Sequence, residues 1–222
     1  ITIKSEKWEK MSRKSSNINN EIKWAADHEG QSHYIEKSIV EDTVDSIIYK
    51  RDINLFFQSN RFLREKMIES VVGYSGVSEN TTFIDVGCGV GFFTLPLARM
   101  ASLGYGFDPS KRSIHWAKKN AQFNNINNVT FVPLADHAIH PGKNVSQVVI
   151  VDPPRMGITK KGRKTILSIS PERIVYVSCN PSTLARDLKD FHNALYEIKN
   201  ITLIDMFPAT YHIECIVQMV RK

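Results

Sequence analysis

Short apolar runs alternate with segments of helical spacing from residue 81 onward, and this alternation restricts the possible folds most strongly. Strands are predicted at 81–86, 103–108, 129–132, 147–152 and 173–178, and helices at 92–100, 110–124, 160–168 and 181–195. This order predicts an α/β fold with a mostly parallel sheet and helices on both faces. Two successive strands, 198–206 and 213–220, close the chain, so we expect one of them to run antiparallel.

The N-terminal part has a different character. Residues 1–50 are polar and weakly periodic, and residues 12–20 are typical of loop or disorder. A small β region is expected between residues 33 and 57, and a helix over residues 61–72. We therefore predict an N-terminal appendage over residues 1–55, partly disordered, followed by one domain over residues 56–222.

Length and composition limit the class of protein. A chain of 222 residues, 42% hydrophobic and 23% charged, suits one large α/β domain of a soluble protein. No apolar run approaches the roughly 20 residues that a membrane span needs. The three cysteines, Cys88, Cys179 and Cys215, have neither disulfide nor metal-cluster spacing. We expect an intracellular, cytoplasmic monomer without a metal, and leave organellar targeting open.

The charge is compatible with a polyanionic partner. The formal net charge is +6 at pH 7, which favours binding to nucleic acid without establishing it. A basic run occupies residues 160–164 (Lys-Lys-Gly-Arg-Lys). It has two interpretations, a solvated start of a helix or a grip for phosphate groups.

A glycine-rich turn predicts a nucleoside site. Residues 85–91 (Asp-Val-Gly-Cys-Gly-Val-Gly) follow a predicted strand and open a helix, and Asp108 ends the next strand, where its carboxylate can accept both ribose hydroxyls. The glycine spacing is shorter than the dinucleotide fingerprint, which favours S-adenosylmethionine over a nicotinamide cofactor or a purely structural turn. Asp136, after the third strand, is either an adenine contact or a loop cap.

Cys179 follows the strand 173–178, at the sheet edge where α/β proteins place their ligands. A thiolate that adds to carbon 6 of a pyrimidine makes carbon 5 reactive toward methylation, and a base must then remove the carbon-5 proton. Glu214, the acidic residue of an apolar closing strand, suits that base, and His212 on the same predicted strand face competes with it. The alternative for Cys179 is inert packing.

Two further residues are candidates for holding the substrate. Asp152 closes the fourth predicted strand and can accept a hydrogen bond from a ring N–H. Arg155 follows it closely and can bind a substrate carbonyl, a phosphate or Asp152 itself.

With these residues in place, the chain resembles the catalytic domain of the RNA uracil-5-methyltransferase family. The resemblance runs from residue 56 to the C-terminus, through motifs at 56–60, 85–91, 152–157, 176–181, 183–187 and 206–214. It implies a Rossmann-like class I methyltransferase sheet with an antiparallel C-terminal strand. It also implies S-adenosylmethionine as cofactor and RNA as partner, with tRNA favoured over ribosomal RNA.

The family's functional positions carry over residue by residue. The resemblance implies Cys179 as nucleophile and Glu214 as proton acceptor. It implies cofactor contacts at Gln58, Gly87, Phe92, Asp108, Asp136 and Asp152, with Gln58 and Asp152 closest to the extruded base. Gly87 stands at a position that is usually aromatic and Phe92 at one that is usually polar.

Other features of the family are not discernible. Its N-terminal β-barrel and the four-cysteine cluster of some members do not appear, and residues 1–50 resemble at most the remnant of a middle RNA-binding region. Two alternatives stay open, a methyltransferase with a different acceptor and a non-catalytic RNA-binding or chaperone protein that retains the fold.

Overall fold

The computed structural model describes residues 23–26, 32–35, 39–139 and 147–222. The chain splits into two compact units. One comprises residues 1–41 and 50–55, and the other comprises residues 42–49 and 56–222. The predicted loop at residues 12–20 lies outside the described residues, and the predicted boundary after residue 55 stays a prediction. None of the helices in the described ranges combines the length and hydropathy that crossing a bilayer requires.

Four short strands precede the main sheet. Strands β1 (Lys23–Ala26) and β2 (Ser32–Ile35) pair antiparallel. Strands β3 (Ile39–Val44) and β4 (Ile47–Asp52) form a second two-stranded sheet. Asp45 and Ser46 join them with positive φ angles of 49° and 59°, the backbone that a two-residue hairpin turn requires.

Seven strands and five helices form the second unit's sheet and its covering layers. The strands are β5 (Thr82–Val86), β6 (Leu103–Phe107), β7 (Val129–Val132), β8 (Val148–Val151), β9 (Arg173–Ser178), β10 (Tyr196–Ile204) and β11 (Glu214–Arg221). The helices are α1 (Arg64–Ser75), α2 (Thr94–Ala98), α3 (Lys111–Phe123), α4 (Lys160–Ile169) and α5 (Pro181–Asn193). A 3₁₀ turn covers Asp136–Ala138.

The sheet order is β10-β11-β9-β8-β5-β6-β7. Strands β5 to β9 are parallel, and β11 runs antiparallel to both of its neighbours. The predicted fold class, mostly parallel with an antiparallel C-terminal strand, is therefore confirmed. From β5 the chain builds outward through β6 and β7 and then returns to place β8 on the other side of β5. This reversal is the switch point at which open α/β sheets bind ligands.

Buried aliphatic side chains on both faces explain why the central strands are almost wholly apolar. Every residue of β8 is buried, as expected for a parallel strand covered on both sides. Val149, Val151 and Tyr176 belong to the core that α4 and α5 complete through Ile166 and Phe191. On the sheet's other face, α1 packs against β8, β9 and β11.

One predicted helix is shorter than its pattern. The sequence predicts a helix over residues 92–100, whereas α2 covers Thr94–Ala98. The reason is the turn that precedes it, in which Gly91 has a φ of 94° and the Gly91 N–H donates to the Cys88 carbonyl at 2.8 Å. Apolar spacing alone does not distinguish such a turn from a helical one.

Candidate active site

The carboxyl ends of the central parallel strands meet at one edge of the sheet. The glycine turn follows β5, Asp108 follows β6, Asp152 follows β8 and Cys179 follows β9. Because β11 runs the other way, its first residue, Glu214, lies at this same edge. The topology therefore brings together residues from five strands that lie up to about 130 positions apart in the chain.

The glycine turn approaches the neighbouring chain closely. The N–H groups of Gly87 and Cys88 donate to the Phe107 carbonyl at 2.8 and 3.0 Å, and the Gly89 N–H donates to Asp108 Oδ2 at 3.1 Å. Gly87 has a φ of 83°, and a Cβ there would lie 2.5 Å from the Asp152 carbonyl oxygen. Only glycine therefore fits at residue 87 without moving the backbone of the loop after β8.

Replacing Gly87 by alanine should lower the free energy of unfolding by about 2 kcal/mol or more, because the new Cβ meets a backbone oxygen at an unfavourable φ. Gly73→Ala is the matched control, since nothing lies within 4 Å of a Cβ at that position inside α1. The control should gain about 0.5–1 kcal/mol from its helix propensity. Urea denaturation measures both, and equal stability of the two variants would contradict the geometry.

A cavity of about 260 Å³ opens beside the glycine turn. Its walls come from the ends of β5 and β6, the 3₁₀ turn and the loop after β8, and its lining includes Val86, Gly87, Phe107, Pro109, Leu134, Asp136, Pro153 and Ile158. The volume is close to the lower end of small-molecule sites, about 300 Å³, and the lining is predominantly apolar, as in such sites. Of the predicted cofactor contacts, it contains Gly87 and Asp136.

Gly87 also lines a second, smaller recess of about 40 Å³. It brings together Gln58, Gly87, Phe92 and Asp152, four of the predicted positions. The ring of Phe92 packs at 4.8–5.9 Å between centroids against three other aromatic rings, those of Tyr49, Phe57 and Phe93. Phe92 therefore shapes the recess as part of an aromatic wall.

Asp108 and Asp136 are already engaged within the protein. Asp108 Oδ1 accepts from the Ser110 N–H at 2.8 Å, and its Oδ2 accepts from the glycine turn. Asp136 Oδ2 accepts from the Thr159 N–H at 2.8 Å and its Oδ1 from the Thr159 hydroxyl at 3.1 Å, which ties the 3₁₀ turn to the start of α4. Each carboxylate retains further acceptor capacity, so a ligand contact is compatible with these bonds.

Asp85 is a buried carboxyl that the sequence identifies only as the start of the glycine motif. Its Oδ2 accepts from the Thr94 hydroxyl at 2.5 Å, and its Oδ1 has no hydrogen-bond partner among the described residues. Burial raises the pKa of Asp85 to about 7. The sequence does contain a signal for this buried group, because Asp85 is the only acidic residue within the apolar run of β5.

Cys179 and Glu214 lie at the adjoining ends of two paired strands, since Cys179 directly follows β9 and Glu214 begins β11. Strand β11 pairs with β9 so that Cys215 is opposite Ser178, and the same antiparallel register places Glu214 opposite Cys179 one position further. Directly opposite residues of an antiparallel pair project from the same face with Cα atoms about 4.5–5.5 Å apart. The thiol is half-buried and the carboxyl is buried.

Electrostatic interactions link Cys179 and Glu214 to Arg155, and link Asp152 to Glu214. Burial and then the Glu214 carboxylate raise the pKa of the Cys179 thiol, while a hydrogen bond from Arg155 lowers it. Burial raises the pKa of Glu214 to about 7, and the Arg155 charge opposes the rise. Burial, followed by the Glu214 charge, raises the pKa of Asp152 well above its usual range. Near neutral pH this edge can therefore exchange protons, as acid–base catalysis requires.

Alkylation of Cys179 by iodoacetamide tests this coupling, because only the thiolate reacts. Arg155→Ala removes the hydrogen bond that lowers the thiol pKa, so alkylation near neutral pH should slow by about threefold or more. Glu214→Gln removes a charge that raises this pKa, so alkylation should accelerate by a similar factor. Lys161→Ala, an exposed cation on α4, should change nothing. Shifts of the same sign in the first two variants would refute the arrangement.

Side chains of α5 hold the loop that carries Arg155, an arrangement called here the α5 clasp. Its four members, with their partners, are Asn180 and Thr183 on the Arg155 carbonyl, Arg186 on the Met156 carbonyl and Asp187 on the Ile158 N–H. Asp187 is fully buried, accepts from Tyr176 and pairs with Arg163 at 2.8 Å. The clasp gives the motif at 183–187 a physical role, which is to fix Arg155 beside Cys179.

The structure departs from the sequence interpretation at His212 and at Arg163. His212 lies in the loop before β11, which begins at Glu214, so strand alternation does not apply to it. Its ring instead lies 2.8 Å from the Arg155 guanidinium. Arg163 of the basic run is not available to phosphate, because it is buried and bonded to Asp187 and Asp190. Only the lysines of that run are exposed.

Comparison with known proteins bears on the family to which the chain belongs. A profile of the tRNA (uracil-5-)-methyltransferase family matches residues 4–141 and 137–222. An uncharacterized RNA methyltransferase of Caldanaerobacter subterraneus is 39% identical over 189 residues, which cover 83% of this chain and 42% of that protein. Another from Aquifex aeolicus is 41% identical over 171 residues, covering 76% and 40%. The chain thus spans less than half the length of these relatives.

Solved structures extend the comparison. The tRNA (uracil-54, C5)-methyltransferase of Pyrococcus abyssi, in complex with S-adenosyl-L-homocysteine, superposes with a TM-score of 0.73 and 33% identity. The match covers 85% of this chain and 46% of that one. A magnesium protoporphyrin IX methyltransferase from Synechocystis, at 20% identity and a TM-score of 0.54 over 71% and 79% of the two chains, shares the fold alone. The sheet is thus that of the class I methyltransferases, and the chain belongs to the tRNA (uracil-5-)-methyltransferase family.

Proposed function

We propose that the chain is the catalytic part of an S-adenosylmethionine-dependent enzyme that methylates carbon 5 of a uridine in RNA. The observation that carries the proposal is that Cys179, directly after β9, and Glu214, at the start of the paired strand β11, lie at the sheet edge that carries the glycine turn. We favour tRNA over ribosomal RNA as the substrate, since both the matching family and the Pyrococcus abyssi relative are named for tRNA.

The residues beside the glycine turn fit the proposed cofactor. Gly87 lines both cavities, of about 260 and 40 Å³, and these provide space for a ligand beside the glycine turn. The unpartnered Asp85 Oδ1 is a buried acceptor that suits a cationic or N–H-bearing ligand. We assign cofactor contacts to the six predicted positions, Gln58, Gly87, Phe92, Asp108, Asp136 and Asp152. The bound S-adenosylmethionine supplies the methyl group as an electrophile.

The chain's own residues supply the remaining chemistry. The Cys179 thiolate adds to carbon 6 of the uracil, and the displaced electron pair makes carbon 5 nucleophilic enough to take the methyl group. Glu214 then accepts the proton of carbon 5, the carbon 5–carbon 6 double bond re-forms, and the thiolate leaves. A Glu214 pKa of about 7 suits this base near neutral pH.

Two residues, Arg155 and Asp152, are proposed to prepare the nucleophile and the substrate. The Arg155 hydrogen bond lowers the pKa of the Cys179 thiol against the effect of burial, and so favours the thiolate. Asp152 shares the small recess with Gln58, and its raised pKa suits a carboxyl that exchanges hydrogen bonds with the uracil edge. Arg155 is exposed and also faces the substrate side of the loop after β8.

Identification of the methylated nucleoside in the RNA product tests the proposal directly. Unmodified tRNA and a ribosomal RNA fragment are incubated with the protein and isotope-labelled S-adenosylmethionine, digested and analysed by mass spectrometry. We expect labelled 5-methyluridine from the tRNA. Labelled 5-methylcytidine would indicate a different acceptor, and binding of tRNA without any labelled nucleoside would indicate a non-catalytic protein that retains the fold.

A further inference from the structure

The loop between β10 and β11 presents aromatic rings beside the proposed active site. Tyr211 is 90% exposed, and its ring centroid lies 4.1 Å from that of His212. The ring of Phe207 also packs edge-on with this imidazole, at 5.9 Å between centroids. Tyr211, His212 and Phe207 are called here the aromatic platform.

The platform is tied to the catalytic candidates. His212 lies 2.8 Å from the Arg155 guanidinium, and Arg155 hydrogen-bonds the Cys179 thiol. Tyr211 precedes Glu214 by three residues, and the α5 clasp fixes the backbone of Arg155. The rings therefore lie at the mouth of the site that contains the proposed nucleophile and base.

The loop's own hydrogen bonds hold the platform in place. The Thr210 N–H and hydroxyl both donate to the Phe207 carbonyl, at 3.1 and 2.7 Å, and the His212 N–H donates to the Thr210 hydroxyl at 3.2 Å. Ala209 takes a positive φ of 64° at the turn. A backbone closed in this way keeps the Tyr211 ring against the tilted imidazole of His212 and exposed to solvent.

A single exposed aromatic residue is ordinary, so exposure alone carries no conclusion. The position of this residue gives it meaning. A base that leaves its stack to reach an active site deprives the neighbouring base of a stacking partner. Proteins that bind looped or single-stranded RNA stack such bases on aromatic side chains, with a gain of about 1–3 kcal/mol for each base.

We propose that Tyr211, backed by His212, stacks against a nucleobase adjacent to the target uridine in looped RNA. This inference rests on the proposed function, because it requires an extruded uridine at Cys179. The ring of Tyr211 provides the contact, and its hydroxyl group is dispensable.

The affinity of the 222-residue chain for a fluorescein-labelled RNA hairpin with a uridine in its loop tests the inference. Tyr211→Ala should weaken binding about tenfold at low salt, whereas Tyr211→Phe should stay within about twofold of the unaltered chain. Phe123→Ala is the control, because Phe123 is an exposed aromatic residue at the end of α3, on the opposite edge of the sheet. The control should bind the hairpin like the unaltered chain.

Abasic RNA identifies the stacked base. Removing the base on one side of the target uridine should reduce the Tyr211→Ala penalty to less than about twofold, since the ring then has nothing to stack on. A penalty that persists with an abasic site on either flank overturns the inference. Three other results also overturn the inference. They are unchanged binding by Tyr211→Ala, binding by Tyr211→Phe as weak as that by Tyr211→Ala, and no measurable binding by the unaltered chain.

Methyl transfer measured on the same hairpin separates this inference from the proposed function. Formation of 5-methyluridine together with unchanged binding by Tyr211→Ala overturns the stacking alone. Ring-dependent binding without any methyl transfer supports the stacking contact and overturns the proposed chemistry.

Discussion

Cys179→Ala is expected to abolish methyl transfer to RNA while the fold is retained. The thiolate forms the bond that activates carbon 5, and the other two described thiols, Cys88 and Cys215, are buried whereas Cys179 is only half-buried. Loss of a nucleophile in a covalent enzyme lowers the rate by on the order of 10⁴-fold or more. Because Cys179 is small and half-buried, the free energy of unfolding should change by less than about 1 kcal/mol. Single-turnover methylation and urea denaturation measure the two effects.

Cys215→Ala is the matched control for this prediction. Cys215 follows Glu214 directly, but alternation along β11 turns it to the opposite face, where it belongs to the buried core. Its replacement should lower stability by about 1 kcal/mol or more and keep methyl transfer within about tenfold of the unaltered chain. If Cys179→Ala retained more than about a hundredth of the activity of the unaltered chain, Cys179 would not be the nucleophile.

Glu214→Gln is expected to trap a covalent complex between the protein and an ordinary uridine-containing RNA. Glutamine has nearly the same shape but cannot accept the carbon-5 proton, so the methylated adduct forms and then resolves slowly. Loss of a general base slows a step by about 10²–10⁴-fold. A band of protein-bound RNA that survives denaturation should therefore appear with this variant and not with the unaltered chain.

The pH dependence of this step follows from the pKa of Glu214, which burial raises to about 7. The base must be ionised, so release of the product from the adduct should accelerate as the pH rises through about 7 and level off above it. In Glu214→Gln the release should be slow at every pH. Glu197→Gln, an exposed carboxylate on β10, is the control and should keep the pH profile of the unaltered chain. If product release by Glu214→Gln showed the pH profile of the unaltered chain, a group other than Glu214 would accept the carbon-5 proton.

The strand ends could be predicted from the sequence because their signals are local. Apolar runs that stop at Asp108, Asp152 and Cys179 mark the carboxyl edge, and parallel order brings those ends together. The turn at Gly87 is likewise visible as a glycine spacing. The prediction that His212 shares a strand face with Glu214 is wrong, because β11 begins at Glu214 and His212 lies two residues before it.

Other parts of the site depend on contacts that no local pattern encodes. The α5 clasp joins side chains to a loop about 25–30 residues earlier in the chain. Arg163 belongs to a basic run by sequence, yet it is buried against Asp187. The unpartnered oxygen of Asp85 and the recess shared by Gln58 and Asp152 likewise require the packed structure. Such features arise from tertiary packing and are absent from residue spacing.

The central claim, that Cys179 attacks a uracil whose carbon-5 proton Glu214 removes, is tested most directly with RNA that contains 5-fluorouridine. Fluorine replaces the proton that the base must take, so the adduct cannot resolve and remains attached to the protein. After incubation with S-adenosylmethionine and proteolysis, mass spectrometry should find the nucleotide on the peptide that contains Cys179. A nucleotide on the peptide of Cys88 or Cys215, or methylated RNA with no attached nucleotide, would contradict the account.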